Sequence, residues 1–203
     1  MSVLRVVDGY QSFGGEPPLV VAVTSSWRIR APSGALVRSL VESSRDLATV
    51  IPLHTLRQLP HFDVSARSGL PAPVRQTGAM IEGADAVLFC VAEYAEGLPA
   101  VVGNLLEWAI AYGFLSGKRV GWFNVASTAH VGLANEILDR ALRFAGANIV
   151  LRADLPVAAT QVSPIGRLAD PKVVEAAIAA LAELLATPPS DRPHPRHPRG
   201  PRP

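Results

Sequence analysis

Five apolar runs of strand length recur along this chain at intervals of roughly thirty residues, and they limit its fold more than any other feature. They are LVVAVT from Leu19, TVIPL from Thr49, AVLFCV from Ala86, RVGWFNVA from Arg119 and NIVL from Asn148. The runs are continuous rather than alternating, and most are rich in valine. That is the pattern of strands buried on both faces, which occurs almost only where helices cover both sides of a parallel sheet.

The intervals carry helical spacing. Leu36, Val37, Leu40, Val41 and Leu47 form one stripe. Val101, Val102, Leu105, Leu106, Ala109 and Tyr112 form another, and Leu133, Ile137, Leu138, Ala141, Leu142 and Ala145 a third. A last stripe runs from Val173 to Leu185, and a less regular helix is expected between Pro73 and about Glu82. Gly146 reads as a helix C-cap, Asp170 with Pro171 as an N-cap and first-turn proline, and Ser33 as the cap of the first helix. Strands alternating with helices, joined by right-handed crossovers, leave few topologies. The expectation is an α/β, flavodoxin-like three-layer sandwich: a five-stranded parallel sheet in order 2-1-3-4-5 with helices on both faces. Ligands of such sheets sit beyond the carboxyl ends of the strands where the order reverses, so the loops after the first, third and fourth strands are the place to look.

This domain is expected to span residues 18–186, after an N-terminal extension of residues 1–17. The segment TPPSDRPHPRHPRGPRP (187–203) has no apolar face and reads as a disordered tail. It holds four arginines against one aspartate, net +3, so the formal net charge of +2 leaves a body near −1. A nucleic-acid partner, which asks for a basic stripe on the folded surface, is therefore not expected. No run reaches the roughly 18 apolar residues of a membrane span. The opening MSVLRVVDGYQSFGG lacks a secretory pattern. With the single cysteine, Cys90, excluding an internal disulfide, a cytoplasmic protein is expected. Cys90 lies mid-strand and reads as a small buried hydrophobe. His54, His61 and Asp63 show no metal-ligand spacing.

The first loop, Thr24-Ser25-Ser26-Trp27-Arg28-Ile29-Arg30-Ala31-Pro32-Ser33-Gly34, gathers hydroxyls and two arginines at a helix N-terminus. Orphan N–H groups and the helix dipole suit a phosphate there, although an ordinary capped helix start with exposed arginines is the alternative. Neither GxGxxG nor GxxxxGK[ST] is present, nor a GxSxG elbow or HExxH. The third-strand loop carries Glu93 and Tyr94 among small residues. The fourth carries Ser127, Thr128, Ala129 and His130, where His130 is either a weak acid–base candidate or merely solvated.

These three loops resemble the NAD(P)H-dependent FMN reductase family of flavodoxin-like proteins, which includes quinone, azo-dye and chromate reductases. The family's GSxRxxSxN is echoed by Ser26 to Ser33, with Ala31 for the second serine and Ser33 for the asparagine. Its LPxFD-like segment is matched by Leu59-Pro60-His61-Phe62-Asp63. In its TPEYNxxxPGxLKNxxDW, Glu93, Tyr94, Pro99, Asn104 and Trp108 fall in register, while Ala92, Ala95 and Gly103 depart. Leu115-Ser116-Gly117-Lys118 matches its LxGK.

The resemblance implies FMN as cofactor and NADPH or NADH as co-substrate. It implies that Ser26, Arg28 and Ser33 hold the phosphate, that Ala92, Glu93, Tyr94 and Ala95 line the ring, and that Ser127, Thr128 and His130 stand near its pyrimidine end. It further implies a ping-pong cycle to a small electron acceptor and a homodimer or homotetramer, for which the helix bearing Trp108 and Tyr112 is a candidate contact. Loss of two hydrogen bonds in the phosphate loop, each worth about 0.5–1.5 kcal/mol, implies FMN binding weaker by one to two decades unless Arg30 compensates. A flavoenzyme tailoring one metabolite, or a regulatory protein that has lost FMN, are the competing readings.

Overall fold

The computed structural model describes residues 17–63, 69–93, 97–125 and 133–186. Five parallel strands stand in the order β2-β1-β3-β4-β5: β1 (Leu19–Thr24), β2 (Thr49–Pro52), β3 (Ala86–Val91), β4 (Arg119–Asn124) and β5 (Asn148–Asp154). Between and after them run α1 (Pro32–Ser43), α2 (Ala72–Gly83), α3 (Ala100–Tyr112), α4 (Leu133–Phe144) and α5 (Pro171–Ala186). Two short 3-10 turns, His54–Gln58 and Ala159–Gln161, follow β2 and β5. The expected architecture and strand order are therefore present. The N-terminal extension through residue 16 and the tail from residue 187 lie outside the described residues.

Alternate residues of each strand feed two cores. Val21, Val23, Val87, Phe89, Val91, Val120 and Trp122 pack under α2, α3 and α4. Val20, Ala22, Leu88, Cys90, Phe123 and Leu151 pack under α1 and α5. Both faces of β3 are dry along its whole length, which is why its sequence shows no alternation.

Three local expectations are corrected. Ser33 is not the cap of α1: Pro32 takes the first helical position, so Ala31 becomes the N-cap and Ser33 turns inward, almost wholly buried. Leu47 falls beyond the end of α1. On α4 the buried stripe is Ala134, Leu138, Leu142 and Ala145, while Leu133 and Ile137 are exposed. Other expectations hold. Gly146 adopts a left-handed φ of 73° after α4, and the Ala147 N–H closes back onto the Leu142 carbonyl at 3.0 Å. The Asp170 carboxylate accepts the Lys172 N–H at 2.9 Å at the start of α5.

One motif residue proves to be a fastener. Lys118 donates to the carbonyls of Glu82 (3.0 Å) and Ala84 (2.6 Å), tying the end of α2 to the start of β4. Burial lowers the Lys118 pKa, against the opposing pull of Asp85 and Glu82.

Candidate functional site

The carboxyl ends of β1 and β3 lie side by side, with Thr24 opposite Cys90 in register. The segment leaving β1 is held close to that edge. The Ser25 N–H donates to the Cys90 carbonyl at 3.4 Å. The buried Thr24 hydroxyl donates to the Ser26 carbonyl at 3.2 Å. The chain then bends back over the first turn of α1. A Cβ on Gly34 would come within 2.4 Å of the Ser26 carbonyl oxygen, so only glycine admits this approach.

Within that bend the Ser25 and Ser33 hydroxyl oxygens are 3.2 Å apart. Ser25 Oγ also accepts the Ala92 N–H, at 3.5 Å, from the segment leaving β3. Ser26 Oγ accepts the Arg28 N–H at 3.4 Å and keeps its own proton to donate. No side chain caps α1, and its first turn holds no acidic residue. Arg28 and Arg30 are exposed, and neither forms an ion pair with a described residue. Hydroxyls and a helix N-terminus that no side chain caps thus meet, with the exposed Arg28 and Arg30 in the same loop. Of the three phosphate-binding residues expected there, Ser26 is half-buried and Arg28 exposed, whereas Ser33 is almost wholly buried and bonded to the Ser25 hydroxyl.

Of the ring-lining residues, Ala92 and Glu93 follow β3 and are half-buried. Tyr94 and Ala95 lie outside the described residues, as do Ser127, Thr128 and His130. Three buried side-chain polar atoms lack a hydrogen-bond partner among the described residues: Trp27 Nε1, Glu93 Oε2 and Asn135 Oδ1. They belong to the segment after β1, the segment after β3 and the first turn of α4 respectively. Each costs about 1–3 kcal/mol if left unpaired in the interior. All three lie on the segments that follow the three central strands, each with hydrogen-bonding capacity left unmet.

The segment after β2 is held by contacts that the sequence did not reveal. Asn104 Nδ2 and Trp108 Nε1 both donate to the Pro60 carbonyl, each at 2.9 Å. Asn104 Oδ1 accepts the Phe62 N–H at 2.8 Å, and the Phe62 ring meets Trp108 edge-on at 5.0 Å between centroids. The motif residues Asn104 and Trp108 therefore hold the Leu59–Asp63 stretch. Trp108 is only 4% exposed and is core, whereas Tyr112, at 41%, keeps a free edge. His54 packs its ring 4.9 Å from that of Trp27. No cluster able to hold a metal occurs among the described residues. Cys90 is buried, and desolvation pushes its thiol pKa well up, so it is no nucleophile.

Thr24 and Ser25, which the sequence shows only as hydroxyls of the first loop, are the residues that hold the loop to the β1–β3 edge. Their signal was present, since both are hydroxyls at the carboxyl end of the first strand.

A family model described as NADPH-dependent FMN reductase matches residues 18–161. No curated protein matches the chain. Among solved structures it is similar to FerB, a flavoenzyme NAD(P)H:(acceptor) oxidoreductase from Paracoccus denitrificans. That likeness has a TM-score of 0.65 and 22% identity, over 82% of this chain and 95% of that one. It is also similar to general stress protein 14 in complex with FMN from Treponema denticola, with a TM-score of 0.53 and 15% identity over 83% and 98%. An NADH:FMN oxidoreductase solved in its apo form gives 0.56 and 16% over 90% and 97%. At such identities the likeness is one of fold.

Proposed function

The chain belongs to the NADPH-dependent FMN reductase family, and from that premise we propose that it is an FMN-dependent oxidoreductase that passes hydride from NADPH or NADH to a small acceptor such as a flavin or a quinone. The observation that carries the reading is the open start of α1, where the Ser25–Ser33 hydroxyl pair lies beside a helix end that no side chain caps. An anion there gains the helix dipole, two or more hydroxyl donors and a guanidinium, and charged hydrogen bonds are about twice as strong as neutral ones.

The residues present fit the group. Ser26, Ser33 and Arg28 would hold the phosphate, with Arg30 beside them to offset the hydroxyl missing at Ala31. Ala92 and Glu93, with Tyr94 and Ala95, would line the ring, and Ser127, Thr128 and His130 would stand at its pyrimidine end. The unpaired Trp27 Nε1, Glu93 Oε2 and Asn135 Oδ1 offer one donor and two acceptors to the same guest. Held by these residues, FMN would supply the hydride-carrying chemistry between the nicotinamide and the acceptor, at its N5. The protein's part is to fix one ring face, exclude water from the other, and admit nicotinamide and acceptor in turn, which gives a ping-pong cycle. Such a cycle asks for no obligatory protein acid or base. Exposed Tyr112 on α3 and Leu133 and Ile137 on α4 support self-association as a homodimer or homotetramer.

The test is anaerobic addition of NADPH to protein mixed with FMN, followed by candidate acceptors. Stoichiometric bleaching, colour return with a quinone or flavin, and parallel double-reciprocal lines are expected. A chain that takes up no FMN, or holds it without reduction by either nicotinamide, overturns the proposal.

A further inference from the structure

Arg38 lies on α1, one turn beyond the anion loop, and it has no carboxylate partner among the described residues. Its half-buried guanidinium instead grips two backbone carbonyls. Nη2 donates to the Ile29 carbonyl at 2.7 Å, in the middle of the loop after β1. Nε donates to the Gly166 carbonyl at 2.8 Å, 128 residues further along the chain. Burial of the guanidinium lowers its pKa, yet an arginine stays charged at any ordinary pH.

The far end of this bridge is itself rigid. Residues 163–167 form a closed turn in which the Gly166 N–H donates to the Ser163 carbonyl at 2.8 Å and the Ser163 N–H to the Arg167 carbonyl at 2.8 Å. The turn is fastened along α1. Ser39 Oγ accepts the Leu168 N–H at 3.2 Å, Arg167 pairs with Glu42 at 2.9 Å, and Val157 and Val162 pack on Ala35. Gly166 is held at φ 81°. A Cβ there would lie 2.8 Å from both Arg38 Nη2 and the Ile29 oxygen, so the guanidinium fits only because glycine leaves the space. The family match ends at residue 161, so this turn lies beyond it.

A trans peptide sets its C=O and N–H on opposite sides. Among the described residues there is no cis bond. Drawing the Ile29 oxygen toward Arg38 therefore turns the Arg30 N–H away from the guanidinium, and the short Arg28-to-Ala31 turn (3.0 Å) sets the pose of both neighbouring arginines. We propose that Arg38 is a positioning residue: clamped between Ile29 and the Gly166 turn, it fixes the loop after β1 in the shape that receives a phosphate, and so governs how well the protein distinguishes a phosphorylated flavin from an unphosphorylated one. This rests on the FMN reading above.

The experiment measures dissociation constants for FMN and riboflavin by flavin fluorescence on the full chain, alongside thermal melts, for wild type, Arg38→Met, Arg38→Lys and Gly166→Ala. Wild type should bind FMN more tightly than riboflavin; failure of that preference sinks the FMN-phosphate reading itself, before Arg38 is in question. Given the preference, Arg38→Met should weaken FMN about tenfold, the worth of one hydrogen bond, and leave riboflavin within about twofold. Arg38→Lys, reaching one carbonyl, should fall between. A merely structural arginine would lower Tm and weaken both ligands together, and an unchanged FMN-to-riboflavin ratio in Arg38→Met overturns the proposal. Should Arg38→Met fail to fold, Gly166→Ala decides the matter, because it pries the clamp open while keeping the charge. A lost preference supports the clamp and a retained one refutes it.

Discussion

Ser25 and Ser33 stand eight residues apart in the chain with their hydroxyl oxygens 3.2 Å apart, one at the end of β1 and the other in the first turn of α1. The pair closes the loop into a ring, and Ser25 Oγ extends the link to β3 by accepting the Ala92 N–H. Ser33→Ala should therefore weaken FMN by about three- to tenfold, the worth of one ordinary hydrogen bond, while riboflavin binding hardly changes. Ser25→Ala should weaken both flavins, because it also frees the segment that follows β3. Titration of the two flavins into each variant checks the distinction.

Ala31, the N-cap of α1, is one of the positions where this chain departs from the family pattern. Ala31→Ser restores a hydroxyl at a capping position and should raise stability by about 0.5–2 kcal/mol. FMN binding should tighten at the same time. Ser33→Asn, the other change toward the family pattern, should not help, because Ser33 is 1% exposed and leaves no room for an amide. Melting curves with and without FMN separate the two substitutions.

Asn104 satisfies both the Pro60 carbonyl and the Phe62 N–H. Asn104→Ala strands the Phe62 N–H and takes one of two donors from the Pro60 carbonyl, which keeps Trp108 Nε1; it should cost about 1–2 kcal/mol, a Tm fall of roughly 2–8 °C for a domain of this size. Asn104→Asp should be intermediate, since it keeps the acceptor and loses the donor. Denaturant titration provides the measurement.

Asp139 on α4 bonds Arg143 at 2.5 Å and Arg152 of β5 at 2.5 Å. Burial would raise its pKa, but the hydrogen bonds and charges of the two arginines outweigh that and hold the carboxyl below its usual value. A depressed folded-state pKa adds stability above the unfolded-state value and loses it as pH falls through the folded one. Asp139→Asn should thus lower Tm at pH 7 by a small amount, and the gap to wild type should close below about pH 4. Thermal melts between pH 3 and about pH 7 follow it.

Much of this architecture was legible because burial on both faces leaves a plain mark. The valine-rich runs at Leu19, Ala86 and Arg119 became β1, β3 and β4 at their expected starts. The errors have physical reasons. Ser33 reads as a cap by residue type, but Pro32 claims the first helical position and moves the cap to Ala31. Leu133 and Ile137 sit one stripe round from Leu138 and Leu142, and an amphipathic count alone does not tell which of two adjacent stripes meets the sheet.

The candidate site was legible where it is local, as in the hydroxyls and arginines of the first loop. It was illegible where partners come from far along the chain. Asn104 and Trp108 appeared only as residues in register, and their grip on Pro60 crosses 44 and 48 residues. The Arg38 bridge to Gly166 left no local mark at all.

The central claim is that the loop after β1 and the start of α1 receive the phosphate of FMN. A crystal structure of the protein with FMN tests it most directly. The account predicts phosphate oxygens within hydrogen-bonding distance of Ser26, Ser33 and the first N–H groups of α1, with the ring running toward Glu93. A flavin bound elsewhere, or that crevice filled by the chain's own side chains, would contradict it.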